Sequence, residues 1–308
     1  MKFCFNMPHS MELKALVQQW EYDVTGADQA RMARCAEELG YDMIAVPEHF
    51  LVPDSHVALS GPHYFHSTVA QSFLAGATTR IPINSCVTLL PLQHPVVLAK
   101  ALATADWMSG GRIMVTFGVG WDPEEFRLLG VDFHKRGEIA DEYLAAIIEL
   151  WTSDSPRFEG THVRFSDAAF APKPVQRPHI PIWIGGDADA PLRRAARFAS
   201  GWIPFLTPLK QIPARIDYIK SQPTFGGRPF EVCYGLGTSL IGEGHVVIDD
   251  PDQRPGMGTE ELIDAVGRLS DLGVTMTSVP IPAVGGVDAY LDYAQWVMED
   301  VKPHVSSV

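Results

Sequence analysis

Three stretches of this 308-residue chain place reactive or conformationally special residues where predicted strands end. Glu48-His49 follows the apolar run 43–46. Imidazole titrates near neutral pH, so a histidine there suits proton transfer to or from a bound molecule. The alternative is a structural histidine at the rim. Gly185-Gly186-Asp187-Ala188 closes the run 180–184 and opens a helical pattern. Unpaired N–H groups and the helix dipole favour a phosphate or carboxylate at such a turn. The alternative is a plain turn capped by Asp187 or Asp189. An acidic cap competes with a bound anion, so anion binding requires Asp187 to point away. Gly118, Gly120 and Trp121 follow the run 113–117. The glycines allow close backbone approach to a flat ring, and Trp121 could wall a pocket. Asp122-Pro123-Glu124-Glu125-Phe126 reads as a helix start with an Asp cap and an acidic first turn, which gives both glutamates a structural role.

These groups must be held by a regular scaffold. Strands are predicted at 2–6, 43–46, 83–88, 113–117, 180–184, 202–204, 231–241 and 275–279. Helices are predicted at 30–39, 65–77, 96–108, 137–151, 190–198, 212–221, 260–272 and 288–299. Eight strands alternating with eight helices predict a (β/α)8 TIM barrel in one domain spanning 1–308, with an open doubly wound sheet as the runner-up. Helix 96–108 is apolar nearly all round and is expected to pack on both sides. Three connections are too long for bare barrel loops: 50–64, 152–179 with an alternating hairpin pattern at 157–165, and 242–258. The glycines and prolines of 242–258 predict a mobile lid over the C-terminal mouth.

The stretch 81–120 carries His94-Pro95, Ala99-Lys100, Ala103-Thr104-Ala105-Asp106, Ser109-Gly110-Gly111-Arg112 and Gly118-Val119-Gly120. With Ala36-Glu37-Glu38-Leu39-Gly40-Tyr41-Asp42, Glu48-His49 and Pro181-Ile182-Trp183-Ile184-Gly185-Gly186, it resembles the signature of the bacterial luciferase-like family of flavin- and deazaflavin-dependent oxidoreductases. The resemblance runs from the first strand to Trp202 and implies a luciferase-like barrel with insertions. It also implies that the Gly185, Gly186, Asp187 and Ala188 turn holds a cofactor phosphate. By the same resemblance the end of the third strand (Ser85, Cys86 and Thr88) carries a cis peptide, matched here to Ser85–Cys86, whose bulge supports the ring. From the residues alone, Cys86 is equally a small buried hydrophobe. His49, with Glu48, falls on the family's acid/base position, and Asp106 and Arg112 read as braces. The implied cofactor is coenzyme F-420, with hydride transfer to or from a small organic substrate. The alternatives are an FMN-dependent monooxygenase that receives reduced flavin, and a barrel that binds flavin without turnover. Pro53 stands where the sugar-phosphate dehydrogenase branch has a tryptophan, which disfavours glucose 6-phosphate.

The totals exclude other classes. Net charge is −13, and no Lys/Arg run exceeds two residues, which disfavours nucleic acid and anionic membrane surfaces. Four cysteines without a CxxC pair argue against a disulfide framework or a thiolate metal site. Eleven histidines lack the His-x-His pattern of metal-dependent barrels, so no metal is expected. With no leader or spanning run, a soluble cytoplasmic protein is expected. Its expected partners are a small organic substrate and a second copy of itself in a homodimer.

Overall fold

The computed structural model describes residues 1–305 apart from 15, 237–239, 243–244 and 248–255. Eight strands form a closed parallel barrel in chain order. They are β1 (Lys2–Asn6), β2 (Met43–Val46), β3 (Ile83–Leu89), β4 (Ile113–Gly118), β5 (Ile182–Gly185), β6 (Gly201–Ile203), β7 (Glu231–Gly235) and β8 (Met276–Ser278). β1 pairs with both β2 and β8, which closes the ring. Helices α1 (Gly26–Leu39), α2 (Asp54–Ser60), α3 (Ser67–Ala77), α4 (Pro95–Ser109), α5 (Pro123–Leu128), α6 (Arg136–Thr152), α7 (Asp189–Phe198), α8 (Ile212–Ser221), α9 (Thr259–Asp271) and α10 (Val287–Trp296) occupy the connections and the C-terminal end.

Seven strands lie within two residues of their predicted bounds. The seventh ends at Gly235, not at 241, because its neighbours β6 and β8 end at Ile203 and Ser278 and offer no further ladder. The next extended residues pair only with each other, Leu240–Gly242 against His245–Val247. The expected lid at 242–258 lies mostly outside the described residues. Connection 50–64, too long for a bare loop, contains α2. Connection 152–179 contains the expected hairpin, Phe158–Glu159 against Arg164–Phe165.

The barrel interior is filled by Cys4, Met43, Trp183, Cys233 and Met276. A Cβ on Gly201 would lie 2.4 Å from the Trp183 indole, so glycine on β6 makes room for tryptophan on β5. The outer core, between strands and helices, is built from residues such as Phe3, Met32, Ile44, Leu98 and Leu144. Polar braces tie the connections at the opposite end from the mouth. Glu37 accepts from the backbone N–H groups of Thr79, Arg80 and Ile81 and from the Thr79 hydroxyl. Partial burial works to raise its pKa, but these donors outweigh it and hold the carboxyl at about 2. Asp106 accepts from Val175 N, Gln176 N and the Gln176 amide, while Arg112 donates to the carbonyls of Ala75, Thr78 and Ser109. Both residues are braces, as their sequence context indicates.

Helix α4 departs from expectation. Leu98, Ala99, Leu102 and Ala103 are buried against the barrel, but Val97, Trp107 and Met108 are 67%, 63% and 76% exposed. A helix in the outer ring has only one face against the strands, so its apolar back stays uncovered within one chain. Val69 and Phe73 of α3 are exposed as well. Among the described residues no helix is long and apolar enough to cross a membrane.

Candidate functional site at the barrel mouth

β2 delivers Glu48 and His49 to the C-terminal mouth, but the structure gives them different surroundings. Glu48 is 2% exposed. Its carboxylate accepts from Ser67 N (3.0 Å), the Ser67 hydroxyl (2.7 Å), Leu89 N (3.0 Å) and the Gln93 amide (2.9 Å). His66 Nδ1 lies 3.5 Å away. The N-cap residue of α3, His66, makes no side-chain cap bond, and Glu48 supplies the negative charge at that helix start. Glu48 is therefore a brace between β2, α3 and the end of β3, and the expectation of a catalytic role is revised. A carboxylate with both oxygens engaged in burial has no free position for a reacting group.

His49 has the contrasting arrangement. Its Nδ1 lies 2.8 Å from Glu125 Oε2, and its side chain is 16% exposed. A carboxylate only accepts, so Nδ1 carries the hydrogen and Nε2 keeps the lone pair in the neutral ring. Glu125 is buried on the first turn of α5, and its other oxygen accepts from Phe50 N (2.8 Å) and Leu51 N (3.3 Å). Sequence reading assigned both glutamates a helix-start role. That holds for Glu124, which pairs on the surface with Arg127, but Glu125 points inward to the histidine. The difference follows from helix geometry, since adjacent residues face directions about 100° apart. Tyr64 and Trp121 meet the His49 ring edge-on, with centroids 4.8 and 6.0 Å away. Burial pushes the Tyr64 phenol up to about 12, so it stays neutral.

The end of β3 carries a bulge, and sequence reading placed its consequences one residue early. The non-proline cis peptide is Cys86–Val87, not Ser85–Cys86. Pairing with β4 shifts between Cys86 and Thr88, which leaves Val87 as the extra residue. Ser85 and Thr88 are fully buried, in a hydroxyl chain through Ser67 to Glu48. Cys86 lies near Asn84 and Thr116, and burial pushes its thiol up to about 12, so it is a neutral packing group. Val87 is the residue that the bulge turns across the neighbouring strands, half-buried. A Cβ on Gly118 would lie 2.5 Å from Val87 Cγ2, and one on Gly185 would lie 2.8 Å from Val87 Cγ1. These two glycines thus accommodate a valine, which was not anticipated. Their common register at the ends of β4 and β5 was the available signal. Gly120 has φ +75°, and a Cβ there would meet Phe126 at 2.6 Å, so it serves the turn into α5.

At the end of β5, Asp187 does point away. Its carboxylate accepts from Phe205 N, Leu206 N, Thr207 N and the Thr207 hydroxyl, tying the loop after β6. Ala188 is the N-cap of α7 and makes no side-chain cap bond, and Asp189 in the first turn pairs with Arg215 at 2.8 Å. Gly186 has φ +122°, and its carbonyl accepts from the Trp202 indole at 2.7 Å. Among the described residues, no group of three or more His, Cys, Asp or Glu is arranged to hold a metal ion.

The arrangement at the mouth therefore comprises an imidazole tethered to a buried carboxylate, a half-buried valine over two strand-end glycines, and the start of α7 with Asp187 turned away from it. The sequence model of the luciferase-like monooxygenases matches residues 6–263. An uncharacterized protein of Mycobacterium tuberculosis is 35% identical, covering 86% of this chain and 90% of its own. The FMNH(2)-dependent dimethylsulfone monooxygenase of Pseudomonas putida is 28% identical over 84% of this chain and 73% of its own. The fold also matches the coenzyme F-420-dependent tetrahydromethanopterin reductase of Methanopyrus kandleri. That structure has a TM-score of 0.70 at 16% identity and covers 92% of this chain and 96% of its own. The chain, with its closed barrel and a family match over most of its length, is a luciferase-like enzyme and belongs to the luciferase-like monooxygenase family of oxidoreductases.

Proposed function

We propose that this enzyme uses coenzyme F-420 to transfer hydride to or from a small organic substrate, with His49 as the proton donor or acceptor. The observation that carries this reading is the His49–Glu125 pair at the mouth, which orients an imidazole whose second nitrogen is left for a reacting group. The residues fit a flavin-type cofactor. The N–H groups opening α7 would hold its phosphate, because Asp187 is drawn off to the Phe205–Thr207 backbone. Val87 would back its ring, and Trp121 and Tyr64 would bound the space beside His49. When bound, the cofactor supplies the hydride or accepts it. The chain itself orients His49 through Glu125, holds the Nδ1 proton in place and keeps Nε2 available for the substrate proton. Glu125 keeps its hydrogen bond to Nδ1 whichever way the proton at Nε2 moves.

The second reading is an FMN-dependent monooxygenase, favoured by the 28% identity to the Pseudomonas putida enzyme. The same phosphate turn and valine platform would serve FMN. Titrating each cofactor into the purified chain under identical salt, with and without oxygen, separates the two. The deazaflavin is expected to bind more tightly and to exchange hydride with a substrate without oxygen. Tight FMN binding with oxygen consumption and no deazaflavin binding overturns the F-420 reading.

We further propose a homodimer joined through the uncovered faces of α3 and α4. Val69 and Phe73 on α3 and Val97, Trp107 and Met108 on α4 are exposed large apolar side chains, the kind that a contact with a second copy would cover. Sedimentation velocity is expected to show a dimer for the native chain and a monomer for Trp107→Glu. A native chain that sediments as a monomer refutes the proposal.

A further inference from the structure

His56, on α2, repeats the His49 construction seven residues further along the chain. Its Nδ1 lies 3.0 Å from Asp122 Oδ2, and Asp122 is buried. The other Asp122 oxygen accepts from Glu124 N and caps α5. The Trp121 indole meets the edges of both imidazoles, at 6.0 Å for His49 and 5.3 Å for His56. His49, Leu51, Val52, His56, Trp121 and Asp122 line one small pocket. The segment 51–61 thus lies against the histidine assigned the proton-transfer role.

We propose that residues 51–61 form a latched cover over His49, and that His56 and Asp122 are the positioning residues that latch it. Most of the cover is exposed or half-buried, with Pro53, Ser60 and Gly61 as its buried residues. α2 has seven residues and no side-chain N-cap bond, so it is too short to be stable alone. Leu51 and Leu59 face outward, 47% and 42% exposed. At its base Phe50 N and Leu51 N are fixed by Glu125, and near its far end Leu59 O accepts from Lys14 N at 3.2 Å. Gly61, with φ +61°, makes the turn out of the helix. Between these ends, His56–Asp122 is a charge-assisted contact to the body, beside the His56–Trp121 ring contact. Releasing it frees the middle of the cover while Glu125 keeps hold of His49. A segment with few buried apolar contacts and a polar attachment is a unit of low local stability, the kind from which access-controlling elements are drawn.

The proposal rests on the reading of His49 for its functional meaning, but its test needs no cofactor and no turnover. Hydrogen–deuterium exchange of the full chain reads the backbone amides of His56, Val57 and Gly61, which bond within the cover. His56→Ala is expected to speed exchange in 51–61 by about tenfold, the loss of one charge-assisted hydrogen bond, with α5 and β4 unchanged. His56→Gln, which can still donate to Asp122, is expected to restore most of the protection. Unchanged exchange in His56→Ala overturns the latch. So does an increase that spreads equally through α5 and β4, or a Gln variant as fast as Ala, because either makes His56 a general packing residue.

Discussion

His49→Ala is expected to retain cofactor affinity and to lose turnover by about 10²–10⁴-fold, the range contributed by one general acid/base. The two effects separate because His49 is held by neighbouring side chains and makes no contribution to the phosphate turn. Its anchor is Glu125, which also bonds Phe50 N and Leu51 N, so the carboxylate stays partnered after the imidazole is removed. The local backbone is therefore expected to survive the truncation. Cofactor titration followed by single-turnover kinetics checks both halves. Near-native turnover in His49→Ala would reduce the residue to a wall of the pocket. Lost cofactor binding with a native fold would instead make it a ring contact.

Gly118→Ala is expected to weaken cofactor binding by at least about tenfold while the barrel still folds. The added Cβ would lie 2.5 Å from Val87 Cγ2. Something must move, and Val87 is half-buried at the mouth, whereas the strand backbone beneath Gly118 is locked in the ladder with β3. The valine therefore gives way outward, into the place where a ring would rest. The loss of stability is expected to be modest, because the clash is relieved by moving one partly exposed side chain. The double variant Gly118→Ala with Val87→Ala is expected to recover part of the lost binding, since it removes the clash together with the side chain that backs the ring. If the single variant binds as well as the native chain, Val87 does not back the cofactor. If the double variant is as weak as the single one, the glycine itself is needed against the ring.

Local patterning determined the barrel and most of its boundaries. Alternating apolar runs and helical periods repeat eight times, the number that closes into a ring, whereas an open doubly wound sheet rarely needs so many units. Helix ends were equally legible where one residue decides them. Gly40, at φ +80°, ends α1, and Asp122 caps α5 from its own sequence position. The resemblance located the mouth, His49 and the turn at Gly185-Gly186. Which side chains meet there was decided only by the tertiary structure. Glu48 and Glu125 are both acidic residues at strand or helix ends, yet one is consumed by Ser67, Leu89 and Gln93 while the other anchors the histidine. Nothing local separates them, because each role depends on a partner dozens of residues away. Val87 shows the same limit. The reason for Gly118 and Gly185 is a valine on the adjoining strand, turned by a bulge whose position depends on how β3 and β4 align. Sequence periodicity fixes which face a residue takes within its own element. Contacts across elements depend on register and on where each strand stops, which are set only when the ring closes.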